Sequence, residues 1–176
     1  MLRSLLIVSL LSGCTAMSPG SALWLNQVDL LSADAADISV ALALPPGLGV
    51  LPDSVTLSLS AARAGQGSVG GSWTLEETRD AMDRHVYRIA AADRAELRRV
   101  QQQAAAWEDA DPDGTAGSLS LALGGCRTVP AELLADARAS VFLSLAPDQP
   151  PRALFRNAPV AEVLSDDNLR ALPRCL

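Results

Sequence analysis

Few residues in this 176-residue chain have the types and spacing that chemistry requires. His85 is the single histidine. It stands beside Val86 in a strand-like stretch and reads as a surface or hydrogen-bonded imidazole rather than a catalyst. No serine lies in a G-x-S-x-G turn, and the one imidazole has no orienting acid near it in sequence, so a serine triad has no signature here. Lysine is absent, which excludes Ser-Lys dyads and Schiff bases. A zinc site would lack ligands, because neither Cys126 nor Cys175 is near His85 in sequence. Glu76-Glu77 cannot flank one glycosidic bond, since adjacent strand residues point to opposite faces. Asp109-Ala110-Asp111-Pro112-Asp113-Gly114 matches the front half of a calcium loop, with oxygens at alternate positions and Gly at the sixth. Position twelve is Ser120 instead of Glu, and a strand pattern follows. Asp109, Asp111 and Asp113 therefore read first as a solvated helix terminator, with calcium as the alternative. The sequence therefore points to no catalytic residue, no cofactor-binding residue, no metal ligand and no small-molecule substrate.

The start of the chain carries a different kind of chemistry. Met1 to Ser4 contain one Arg and no acid, and Leu5 to Leu11 read LLIVSLL. That run is too short for a transmembrane helix, which needs about 20 apolar residues, but it has the shape of a secretory signal. Leu11-Ser12-Gly13-Cys14 follows, and here the stretch resembles the lipobox of bacterial lipoproteins. The resemblance covers residues 1–14. It implies cleavage after residue 13, a diacylglycerol on the Cys14 thiol and acylation of the new amine. With Thr15 next, the family's sorting rule favours the outer membrane, facing the periplasm. Two or more acyl chains hold a protein on a bilayer almost permanently, each buried methylene contributing ~0.8 kcal/mol. With Cys14 given to lipid, Cys126 and Cys175 remain as the pair for a disulfide in an oxidising compartment. The alternatives are two buried thiols or a redox pair, although the C-x-x-C spacing of the latter is missing.

Composition limits the partners. Net charge is −6 at pH 7, and −7 once Arg3 leaves with the signal. An acidic chain without a basic face is a poor binder of nucleic acid or anionic lipid heads. The expected organisation is a signal peptide over 1–13, a lipidated cysteine and tether over 14–23, and one globular domain over 24–176.

The elements that must position any site follow from periodicity. Ile38, Val40, Leu42 and Leu44 alternate with small residues, as do Val55, Leu57 and Leu59. Gly65 to Gly71 reads as a turn, followed by a weak strand at Trp73 and Leu75 and another over Val86 to Ala90. Asp93-x-x-Glu96 has the pattern of a capping box. Leu97, Val100, Ala104 and Trp107 then form one apolar stripe of a helix near 94–108, with Arg98, Arg99, Gln101, Gln102 and Glu108 mostly outside it. Alternation returns at Leu119, Leu121 and Leu123, again at Val141, Leu143 and Leu145, and a last strand starts near Ala153. Pro130 to Ala137 suits a short helix, and Ser165-Asp166-Asp167 the cap of a terminal turn.

The expected fold is mainly β: an antiparallel, Ig-like β-sandwich of about seven strands with one accessory helix near 94–108. The alternative is an α+β fold with a single antiparallel sheet and a helix on one face. Outer strand positions 39, 41, 43, 56, 58, 60, 118, 120, 122, 140 and 144 are all Ser, Thr or Ala. Base-composition bias, with cover by the helix and loops, is the plain account; a docking face for an envelope protein partner is the other. These features favour a non-catalytic envelope lipoprotein. A calcium- or polymer-binding module, or an envelope hydrolase, is the alternative class. Polymer binding would need exposed aromatics, and only Trp24, Trp73, Trp107, Tyr87, Phe142 and Phe155 are present.

Overall fold

The fold was analysed in a computed structural model that describes residues 30–175 except 83, 135 and 147–149. Cys14, the signal and the tether lie outside the described residues, as do Trp24 and the start of the expected domain.

Among the described residues nine strands form in chain order: β1 Ser39–Ala43, β2 Leu48–Val50, β3 Thr56–Arg63, β4 Gly67–Arg79, β5 His85–Ile89, β6 Thr115–Ala122, β7 Gly125–Arg127, β8 Arg138–Ser144 and β9 Arg152–Pro159. Helix α1 spans Arg94–Ala110, and two short helices, α2 (Val160–Val163) and α3 (Asp166–Ala171), follow β9. Seven strands hydrogen-bond in one antiparallel sheet in the order β6-β3-β4-β5-β1-β8-β9, while β2 and β7 pair as a separate ribbon. The chain is thus mainly β and antiparallel as the alternation implies. Of the two expected forms it takes the single sheet with a helix over one face, because seven strands join into one hydrogen-bonded, curled sheet.

The sheet curls because β4 changes neighbours along its length. Its first part pairs with β3, from Gly67 opposite Arg63 to Thr74 opposite Thr56. Its last part pairs with β5, from Leu75 opposite Ile89 to Arg79 opposite His85. The glycine-rich stretch expected as a turn is mostly strand: the chain reverses at Ala64–Gln66, with Gly65 and Gly67 at φ 75° and 94°, and Gly70 and Gly71 lie inside β4. An added Cβ at Gly71 would overlap the Trp73 indole, so glycine there makes room for a ring lying back along its own strand.

The apolar residues of every strand in the sheet meet α1 in one core. Val40, Leu42, Leu57, Leu59, Trp73, Leu75, Tyr87, Ile89, Val141 and Leu143 cluster with Leu97 and Val100. Large apolar side chains taken out of water in this way contribute about 1.5–3 kcal/mol each, which fixes α1 against the sheet. Two expectations for α1 change. Asp93 makes no side-chain capping bond, and Glu96 instead accepts from Trp73 Nε1 at 3.3 Å. Gln101 is buried rather than outside the stripe, donating from Nε2 to Leu30 O at 2.8 Å and Ala33 O at 3.1 Å. It thereby satisfies two carbonyls of the turn that precedes β1.

A smaller core of Ala131, Leu134, Ala139, Val160 and Leu169 seats the C-terminal helices. Over the expected helix at 130–137 only a 3-10 turn forms, Ala131–Leu133. Ser165 does cap α3, its hydroxyl accepting from Asn168 N at 3.4 Å. Among the described residues, no helix is long and apolar enough to cross a membrane.

Candidate functional site: the outer face of the sheet

Side chains alternate across a strand, so the residues between the core positions share the opposite face of the sheet. Helix α1 lies on the core side, so helix cover does not explain the small residues of that outer face; among the described residues Ala41 and Val86 are buried there by their neighbours within the face, at 6% exposure each. Over β1, β5 and β8 the face sinks into an open depression of about 340 Å³. Its floor and walls include Ser39, Ala41, Val86, Phe142 and Ser144, brought side by side by the pairing of Ala41 with both Val86 and Phe142.

The rim is charged and held in place. Asp80 ties the β4–β5 turn, its Oδ1 accepting from Met82 N at 2.9 Å and Arg84 N at 3.0 Å. Its Oδ2 accepts from Arg84 Nε at 2.7 Å, with a second guanidinium nitrogen at 2.6 Å. The Arg84 amide and then its guanidinium hold the Asp80 carboxyl below the ordinary carboxylate range. This fixes the Arg84 guanidinium 5.2 Å from the centre of the Phe142 ring, a cation–π arrangement. Arg88 lies opposite Ser39 across the β1–β5 pair and also borders the depression. A shallow surface of small hydroxyls and methyls, one aromatic ring and oriented guanidinium groups is suited to contact with a protein surface, where Arg and aromatic groups carry much of the binding.

On the core side, the open end of the sheet carries the histidine. His85 Nδ1 donates to Glu77 Oε1 at 2.6 Å, and Glu77 Oε2 accepts from the Tyr87 hydroxyl at 3.3 Å. The His85 and Tyr87 rings stand parallel, centroids 6.4 Å apart. Burial first, and then the Glu77 charge, push the Tyr87 hydroxyl far above its usual range, so it stays a proton donor to Glu77. The imidazole thus has an orienting acid, which sequence reading missed. Glu77 is eight residues away and arrives only through the β4–β5 register, which places it opposite Tyr87. Among the described residues, the hydrogen-bond partner of the imidazole is Glu77.

The other candidate residues fall apart from one another. Cys126 and Cys175 form a disulfide with Cα atoms 5.0 Å apart, tying the chain end to β7. Gly49, opposite Cys126 on β2, lies against it: an added Cβ would stand 3.1 Å from one sulfur and 3.2 Å from the other. Asp111 does not converge with Asp109 and Asp113 on a common point. Its Oδ1 accepts from Gly114 N at 3.0 Å and its Oδ2 lies 3.7 Å from Arg63 Nε, the arrangement of a helix terminator. Among the described residues, no three His, Cys, Asp or Glu side chains gather as a metal site would require. Trp73, Trp107 and Tyr87 are buried, which removes them as a platform for sugar rings.

Comparison with family profiles, with curated proteins and with solved structures found no match for this chain.

Proposed function

We propose that the protein is a non-catalytic, lipid-anchored module of the bacterial cell envelope. Its domain docks a partner protein through the outer face of the sheet, on the periplasmic side of the outer membrane. The observation that carries the reading is the open depression over β1, β5 and β8, lined by Ser39, Ala41 and Ser144 and rimmed by the braced Arg84. Solvated sheet faces usually carry charges that discourage association; here Ser39, Ala41, Phe142 and Ser144 carry none, and the charges of the depression are those of Asp37, Asp80, Arg84 and Arg88 around them. The Cys126–Cys175 disulfide fits an oxidising compartment, and the Leu11-Ser12-Gly13-Cys14 segment supplies the anchor.

A photoreactive side chain placed at Ser144 in cells tests the docking face. An adduct with an envelope protein that is lost when Ser39→Arg is added supports the reading. An adduct indifferent to Ser39→Arg, or none, overturns it. Replacing Cys14 by Ser tests the anchor separately. The protein should leave the membrane fraction, and unlipidated protein still sedimenting with envelopes would reject the anchor.

A further inference from the structure

The two edges of the seven-stranded sheet differ. Strand β9 carries Arg152 and Arg156, ends at Pro159, holds Asn157 at φ 51° and meets β8 through register shifts near Val141. Charges, proline and bulges are the devices that keep an edge from accepting another strand. Strand β6 has none of them. It reads TAGSLSLA, uncharged and free of proline, and pairs with β3 over eight consecutive positions without a shift. Among the described residues β3 is its only strand neighbour, so its other side offers backbone donors and acceptors with no strand to meet them. The core layer also loses its cover there. Leu119 is 40% exposed and Leu123 38%, whereas Leu59, directly opposite Leu119 on β3, is 5% exposed.

We infer that the free edge of β6 pairs with β6 of a second copy of this chain, antiparallel about Ser120, joining two sheets into one. The occupant is indicated by the strand that β6 already accepts. On its bound side β6 sets Leu121, Ser120 and Leu119 against Leu57, Ser58 and Leu59 of β3. A second β6 turned about Ser120 sets Leu119, Ser120 and Leu121 of the copy against those same residues, so the free side receives the Leu-Ser-Leu that the bound side holds. Leucines then meet leucines on the core side, and serines meet on the outer side. A twofold interface requires such self-complementarity. The acidic residues of this net −6 chain stand elsewhere than on β6, so no like charges face each other along the paired strands. The twofold axis is normal to the sheet and places both α1 helices on one side, where the partly bare leucines of each copy shield those of the other.

The test uses the full-length chain with Cys14→Ser, purified in mild detergent, so that an introduced thiol is the only free one. Directly opposed residues of antiparallel strands have Cα atoms about 4.5–5.5 Å apart, within disulfide reach. Ser120→Cys should therefore give a disulfide-linked dimer on a non-reducing gel. Ser58→Cys on β3, and Ser118→Cys, which would face Ala122 of the copy, should give about tenfold less. Sedimentation velocity of the cysteine-free-edge chain should show a doubled mass that Ser120→Lys weakens about tenfold or more, with an unchanged melting curve. A monomer at all concentrations up to about 100 µM overturns the inference. So does a dimer indifferent to Ser120→Lys, or equal crosslinking from all three positions.

Discussion

At Gly71 a missing side chain decides how Trp73 packs. The indole lies where a Cβ would be, with a second ring carbon 2.7 Å from that position, so Gly71→Ala must displace the ring or bend β4. Overpacking of this kind costs typically about 1–3 kcal/mol. The expected outcome is a lower urea midpoint together with a changed near-ultraviolet circular dichroism signal from the tryptophans. An unchanged midpoint would show that the ring has a second place to go. His85 shows the same dependence on neighbours: its chemistry is set by Glu77, which reaches it across a strand pair. No spacing rule connects residues 77 and 85, because the contact depends on the β4–β5 register rather than on chain distance.

At the scale of elements, the β4–β5 turn is held by a single carboxylate. Asp80 accepts from two backbone amides and one guanidinium, and its pKa is lowered first by the Arg84 amide and then by the Arg84 side chain. A carboxyl whose folded value is depressed contributes stability that is complete above its ordinary value and is lost as pH falls through the folded value. The melting temperature of the protein should therefore fall below about pH 4, and Asp80→Asn should reduce that fall. The variant and parent curves should converge at the lowest pH. Asp34 is lowered in the same direction, by the Ala36 amide and Arg98, and should keep its own share of the slope in the Asp80 variant. If the two curves stayed parallel down to the acid limit, Asp80 would not be the titrating brace. Helix α1 was the element most open to prediction, because its 3.6-residue stripe is long enough to be unambiguous. Its start and Gln101 were not legible: what Glu96 and Gln101 bond to belongs to β4 and to the turn before β1.

At the scale of the whole molecule, the C-terminal segment is fastened by the small core under α2 and α3, by backbone hydrogen bonds of Arg127 to Pro173 and Cys175, and by the disulfide. The bridge closes a separation of 49 residues, worth roughly 4 kcal/mol on the chain-entropy account. Replacing both Cys126 and Cys175 by Ala should lower the unfolding free energy by about that amount in denaturant titrations. A loss below about 1 kcal/mol would mean that the small core and the backbone bonds of Arg127 order this segment without the disulfide. The outer face and the β6 edge are likewise properties of the assembled sheet, since each exists only once the strand order is fixed.

The sequence by itself determined the mainly β class, the strands with clean alternation and the helix, because these follow from local periodicity. The choice between two facing sheets and one curled sheet was decided only in three dimensions, where β4 passes from β3 to β5 and carries both halves into one layer. Strands β2 and β7 were also invisible in the sequence, since three residues are too few to show a period. Which face is covered, which edge is free and which acid orients His85 depend on contacts between distant segments, and hydrophobic period does not encode those.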